Sequence, residues 1–279
     1  MHQGFHPARR AALLSIAGAL AACGGGGSGD NGPPPETVGQ VINSTLRSSA
    51  NGNTYPIQVY LPQSYATGTA ALPVIYATEG DAPYGSSSPY FNGSYGTRFD
   101  AFKDVMQRRG MQAILVGIGG TAWRATDFLV PGASRYMDFI VKELAVSIER
   151  QYRADPKRRV LSGLSHGGYF VLAALVLEAE AGGAPSFSHY LSTEISVGEH
   201  TSPAGVLAFE KRIDGKPLQT TLVIAGARNG NHPSIGIPLY NQMATQNLPG
   251  LTLLKAEYDT SHVGADVPAF EDAVTRFFA

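Results

Sequence analysis

The sequence predicts an α/β fold with a mostly parallel central sheet and helices on both faces. Three observations predict it. Strand-like and helix-like segments alternate along most of the 279 residues. Two unbroken apolar runs, Pro73 to Thr78 and Gln112 to Ile118, suit strands buried on both faces of a parallel sheet. Gly163-Leu164-Ser165-His166-Gly167-Gly168 lies between a strand-like run, Arg159 to Ser162, and a helix-like run, Tyr169 to Ala181. The length suits one such domain, and a hydrophobic content of 43% is ample for its core.

The chain opens with a targeting segment. Arg9 and Arg10 are followed by an apolar stretch, Ala11 to Leu20, that is too short to span a bilayer as a stable helix. Leu20-Ala21-Ala22-Cys23 resembles a bacterial lipobox. Cys23, the only cysteine, is then the lipidated first residue of the mature protein. Residues 1–22 read as a lipoprotein signal peptide, with a weak twin-arginine pattern as a second export route. Residues 23–38 read as a flexible Gly/Ser/Pro tether and residues 39–279 as the catalytic domain. Gly24 is not the aspartate associated with inner-membrane retention, so the outer membrane is expected. Removing two arginines and no acids changes the formal charge from −1 to −3. Such a balance points to no nucleic-acid or polyanionic partner.

The elements follow in order. Asn51-Gly52-Asn53 signals a hairpin turn before Thr54–Leu61, whose alternation reads as an antiparallel strand. After the strand Pro73–Thr78, Arg98 to Arg109 places Phe102, Val105 and Met106 at helical spacing, with Gly110 as C-cap. The strand Gln112–Ile118 comes next. A helix from Ser134 to Tyr152 then aligns Met137, Ile140, Leu144 and Ile148. Ser188–Ser192, Thr221–Ala225 and Leu251–Ala256 are further strands. The last helix begins near Pro268 and presents Phe270, Val274 and Phe277.

A Gly-x-Ser-x-Gly turn between strand and helix is a nucleophile elbow. The serine occupies a sharp turn, and the glycines leave room for the backbone on either side. Ser165 is therefore the candidate nucleophile. The helix that follows aims its first amides at an oxyanion formed there, the His166 amide foremost.

Several segments in order resemble the esterase family of α/β-hydrolases that includes siderophore (enterochelin-type) esterases and related carboxylesterases. They are SSANGNTYPIQVYLPQSY (48–65), PVIYATEGD (73–81), GIGGTAWRATD (117–127) and YRADPKRRVLSGLSHGG (152–168). The resemblance implies the α/β-hydrolase fold and ester hydrolysis. It implies a base in the loop between the last strand and the last helix, which here is His262. It also implies the Asp81 amide as second oxyanion donor. The family's acid follows the seventh strand, where this chain has Gly226-Ala227-Arg228-Asn229 and no carboxylate from Gly226 through Leu254. Three readings stand. Asn229 orients His262 as a neutral partner. A carboxylate elsewhere does so, Glu194 after the sixth strand being best placed and Asp259 too local. Or the site is a Ser-His dyad.

Tyr84, Tyr90, Phe91 and Tyr95 are expected to wall a pocket over the elbow, with Trp123 on the same edge. Arg124 and Asp127 read as a structural ion pair, with contact to substrate as the alternative. The expected function is serine ester hydrolysis through an acyl-enzyme, on a small-molecule carboxylic ester, with no cofactor and no metal. The alternative is a catalytically weakened hydrolase serving as a cell-surface binding protein. A metal-dependent hydrolase using His189, His200 or His232 lacks any ligand-like spacing.

Overall fold

Eight strands build the central sheet. They are β1 (Gln40–Arg47), β2 (Thr54–Leu61), β3 (Leu72–Thr78), β4 (Ile114–Ile118), β5 (Ala154–Leu164), β6 (His189–Thr193), β7 (Thr220–Asn229) and β8 (Leu251–Ser261). Their spatial order is β1-β2-β4-β3-β5-β6-β7-β8. The β1–β2 and β2–β4 pairs are antiparallel, and all the others are parallel. The computed structural model describes residues 39–84, 96–197 and 202–278. These all lie in a compact unit spanning Thr37–Ala279. The expected signal segment, Cys23 and the tether lie outside the described residues, as do Tyr90, Phe91, Tyr95 and His200.

Pleat alternation divides the core between the two faces. Val74 and Tyr76 of β3 turn to one face, with Leu161, Tyr190, Leu222 and Ile224. Ile75 and Ala77 turn to the other, with Val160, Leu191 and Val223. Helices α2 (Gly132–Asp138), α3 (Ala145–Gln151), α4 (His166–Glu180), α5 (Pro203–Glu210) and α6 (Ile237–Met243) supply the first core. Helix α1 (Arg98–Arg108) and helix α7 (Asp266–Phe277) supply the second.

Helix α1 starts where Thr97 and Asp100 form a reciprocal capping box, and Gly110 beyond its end has φ +60°. The single helix expected over 134–152 is instead two α-helical stretches joined by a π-helical stretch, Phe139–Leu144. The expected apolar face survives: Met137, Ile140, Leu144 and Ile148 are all buried. A π-turn widens the helix without moving that stripe off the sheet, so spacing alone did not reveal it.

Helices α1 and α7 face each other through the stacked rings of Phe102 and Phe270, whose centroids are 3.7 Å apart. Beside them lies a buried ion pair. Arg98 Nε and Nη2 donate to the two Asp266 oxygens at 2.7 and 3.0 Å, and both side chains are essentially inaccessible. Arg98 Nη1 also donates to the Thr78 carbonyl at 2.6 Å, and Nη2 donates to Ser162 Oγ at 3.0 Å. Tyr84 adds a hydroxyl donor to Asp266. One guanidinium thus ties the ends of β3 and β5 to the start of α7. Asp266→Ala leaves it buried without its counter-charge, and a loss of about 3–5 kcal/mol is expected in urea unfolding. The double variant Arg98→Met/Asp266→Leu, with no charge left to strand, should recover most of that loss.

Candidate active site

The strand ends that meet here are locally strained. Among the described residues three non-glycine residues have positive φ: Glu79 after β3 (+54°), Ser165 after β5 (+61°) and Glu194 after β6 (+49°). Each such residue costs on the order of 1–3 kcal/mol, and this strain clusters at functional sites. At Ser165, ψ is −118°, so the backbone turns sharply before α4 begins. Gly163 and Gly167 permit that turn. A Cβ on Gly163 would collide with the Gly167 backbone, and one on Gly167 would come within 2.6 Å of Thr78 Oγ1. Backbone bonds fix the turn: Ser165 N donates to Thr193 O at 3.0 Å, and Ser165 O accepts from Tyr169 N and Ser196 N, both at 3.1 Å. The His166 and Asp81 amides donate to no acceptor among the described residues.

His262 follows β8 directly. The strand runs to Ser261, five residues beyond its expected end at Ala256, and so carries His262 to this edge of the sheet. Its partner is Glu194. His262 Nδ1 and Glu194 Oε2 are 2.7 Å apart. The Glu194 carboxylate is fully buried and also accepts from the amides of Ala227 (2.6 Å), Asn231 (2.8 Å) and His232 (3.2 Å). Burial would raise its pKa. The hydrogen bonds from His262, Asn231 and Ala227 outweigh that, and the group is held below the usual carboxylate range.

Asn229 is exposed at the end of β7 and makes no hydrogen bond to His262 among the described residues. The neutral-partner reading of Asn229 therefore has no contact behind it, whereas a carboxylate reaching over from β6 does contact the ring. Gly226 and Gly230 make room for it, since a Cβ on either would overlap the Glu194 carboxylate oxygens. Among the described residues no hydrogen bond joins Ser165 to His262. In unliganded sites of this kind such bonds are often long and close only with substrate.

Asp81 occupies the turn after β3, and its side chain is spoken for. It accepts from Gly120 N at 2.8 Å and from Thr121 Oγ1 at 2.5 Å, which ties the turn to the loop after β4. Arg124 and Asp127 do not pair with each other, contrary to expectation. Asp127 accepts from the Tyr55 hydroxyl at 2.5 Å and from Asn53 Nδ2 at 3.3 Å. Arg124 Nε lies 2.8 Å from Glu79 Oε1, although its N–H is not aimed for a directed hydrogen bond, so the contact is one of charge. Glu79, next to Gly80 and Asp81 in this turn, is buried against Gly167 of the elbow.

The other histidines lie elsewhere. His189, at the opposite end of β6 from Glu194, packs on Phe277. His232 is buried behind Glu194, and its backbone amide is what reaches the carboxylate. Tyr84 is turned into the core beside Asp266 rather than walling a pocket.

Residues 48–196, more than half of the chain, match the family described as "Putative esterase". The chain belongs to this esterase family. The esterase is 30% identical over 167 residues to the ferri-bacillibactin esterase BesA of Bacillus subtilis (strain 168). That stretch is 49% of this chain and 53% of BesA, so the match spans about half the length of this curated relative. An IroE-like serine hydrolase from Shewanella oneidensis superposes with a TM-score of 0.70 at 24% identity, over 86% of this chain and 80% of that one. The BES protein from Bacillus cereus gives 0.68 at 19%, over 86% and 96%. The enterobactin hydrolase IroE, in complex with DFP, gives 0.63 at 17%, over 88% and 97%. These structures share the α/β fold of this chain.

Proposed function

We propose that this esterase works through an acyl-enzyme formed on Ser165, with His262 as base and Glu194 as the group that orients it. Ser165 Oγ attacks the ester carbonyl carbon while its proton passes to His262 Nε2. The carbonyl oxygen becomes an oxyanion, received by the His166 and Asp81 amides. The imidazolium gives its proton to the leaving alcohol oxygen as the C–O bond breaks. Water, deprotonated by the same ring, then attacks the acyl-enzyme. This releases the carboxylic acid and restores Ser165. The observation that carries this reading is the 2.7 Å contact between His262 Nδ1 and the buried Glu194, on the same sheet edge as the strained serine. That contact fixes the tautomer a base must have. It also weighs against a non-catalytic binding protein, a reading drawn from the missing acid after β7.

For substrate we propose an ester of the siderophore type. The names of BesA and IroE support this, since they describe esterases of ferri-bacillibactin and enterobactin. A panel of p-nitrophenyl esters of graded chain length, with a tri-ester siderophore included, tests it. Labelling by a fluorophosphonate probe tests the serine. Turnover of simple esters without the siderophore would remove the substrate proposal and leave the mechanism standing.

We further propose that the protein is lipid-anchored through Cys23 in the cell envelope, at the outer membrane. Leu20-Ala21-Ala22-Cys23 followed by four glycines supports it. Cys23→Ser is expected to move the protein from the membrane fraction to the soluble fraction, and wild type is expected to incorporate labelled palmitate. Absence of palmitate label in wild type would remove the anchor.

A further inference from the structure

We propose that the outer edge of β8 docks a second copy of this chain, strand against antiparallel strand, with Ala256 on the two-fold axis.

β8 ends the sheet. It pairs with β7 on one side, and no strand pairs with its other side among the described residues. The strand is 11 residues long, contains no proline or glycine, and has no fully buried residue. Such an edge offers a row of backbone donors and acceptors to any other strand, and proteins blunt it with charges, prolines or bulges. The bulge here comes late. Pairing with β7 is regular from Leu251 to Tyr258 and shifts only between Tyr258 and Ser261. What guards the rest of the edge is the charge at Lys255, Glu257 and Asp259. The order of those charges decides which strand can dock.

Side chains alternate between the faces of a strand, so Lys255 and Glu257 share one face. Lys255 Nζ lies 3.2 Å from Glu257 Oε1, and both side chains are 31% exposed. Lys255 Nζ also lies 5.3 Å from the centroid of the Tyr240 ring of α6. Both charged heads therefore keep surface on which a further partner can sit.

A two-fold axis normal to the sheet keeps the faces of the two copies aligned. It must pass through a residue, because directly opposed residues then lie on the same face. Centred on Ala256, the axis sets Lys255 of each copy opposite Glu257 of the other, and Leu254 opposite Tyr258. The neighbouring registers do not match. Centred on Lys255 or on Glu257, the axis sets that residue against its own copy. Centred on Leu254 it sets Lys255 against Leu253, and centred on Tyr258 it sets Glu257 against Asp259. Opposite charges directly across a strand pair stabilise it, and like charges destabilise it. Ala256 is also the middle residue of β8, so charge and strand length select the same register. The residues that meet around the axis, Leu254 to Tyr258, lie wholly within the regular part of the strand. On the other face Leu254, Ala256 and Tyr258 pack against the core of α1 and α7, and the second strand continues that apolar layer. The charges that guard this edge against other strands match a copy of it.

The test uses the full chain carrying Cys23→Ser, in which no lipid can drive association. This parent protein is expected to sediment at twice the chain mass in analytical ultracentrifugation. Lys255→Glu sets glutamate opposite glutamate, and Glu257→Lys sets lysine opposite lysine. Each is expected to sediment as a single chain with unchanged far-UV circular dichroism. Mixed in equal amounts, the two variants are expected to return to twice the mass, since every glutamate of one then faces a lysine of the other. The Lys255–Glu257 pair within the chain is broken in both variants, so only pairing between copies accounts for that recovery. Ala256→Cys keeps both charges and checks the register. It supplies the one thiol of the parent chain, and across the axis its Cα lies roughly 4.5–5.5 Å from that of its copy, within disulfide reach. Oxidation is expected to link two chains. Thr252→Cys, roughly 27 Å from its own copy along the strands in this register, is expected not to link. A single-chain mass for the parent, twice the mass for either charge variant alone, or a mixture that stays at single-chain mass overturns the proposal. So does an Ala256→Cys chain that links no better than Thr252→Cys.

Discussion

Replacing Ser165 by alanine abolishes ester hydrolysis and leaves the protein folded. A fall in kcat on the order of 10⁶ is expected, the usual cost of removing such a nucleophile. The fold survives because every bond that fixes the turn belongs to the backbone. Ser165 N to Thr193 O, and the bonds from Tyr169 N and Ser196 N to Ser165 O, need only a main chain at position 165. Alanine meets the same strain at φ +61° as serine does, so stability should barely change. Hydrolysis of p-nitrophenyl esters and the far-UV circular dichroism of the variant are the paired measurements. Retention of more than a few per cent of wild-type turnover would remove Ser165 from the mechanism.

The elbow was legible in the sequence because its constraints are local. Two glycines, a serine and the change from strand to helix occupy adjacent positions, and each is demanded by the same turn. The buried strands were legible for a similar reason, since an unbroken apolar run states burial on both faces by itself. What escaped was set by distant partners. β1 was not read as a strand because only two of its eight residues are even partly buried, so it carries no apolar alternation. Nothing adjacent in sequence marks Arg98, and only its pairing with Asp266, 168 residues later, shows it as the centre of a buried network. Arg124 and Asp127 are opposite charges three residues apart, which suggests a pair. The fold gives each a nearer partner from another element, Glu79 and Tyr55. The carboxylate at His262 was legible only as one of three readings, with Glu194 its best-placed candidate. The turn after β7 lacks an acid, but it holds Gly226 and Gly230, the two positions where a side chain would fill the space taken by Glu194. The missing acid and the two glycines are one signal, visible only once β6 and β7 are known to be neighbours.

Glu194→Gln should lower kcat by roughly 10³–10⁴, close to the effect of amidating the aspartate of a serine-protease triad. The reason lies in what surrounds the carboxylate. One oxygen accepts from the Ala227 and His232 amides, and the other from Asn231 N and His262 Nδ1. Glutamine keeps the volume but offers one acceptor oxygen. Facing its amide group toward Ala227 and His232 would set a donor against two donors. The better arrangement turns the oxygen to that pair and the NH₂ toward His262. The ring must then accept at Nδ1 and carry its proton on Nε2, the atom that has to receive the proton of Ser165. Catalysis fails by tautomer, with little loss of packing. Acid does not produce the same failure until the pH is well below neutral. Glu194 is held below the ordinary carboxylate range, so its charge persists through the ordinary carboxylate pKa and is lost only at lower pH. Asn229→Ala, at an exposed residue with no bond to the ring, should cost less than about tenfold. His262→Ala should be as damaging as Ser165→Ala. If Glu194→Gln and Asn229→Ala are both mild while His262→Ala is fatal, the enzyme runs as a dyad and the carboxylate serves only to hold the loop. If His262→Ala is mild as well, the base is not His262, and the buried His232 behind Glu194 becomes the residue to replace next.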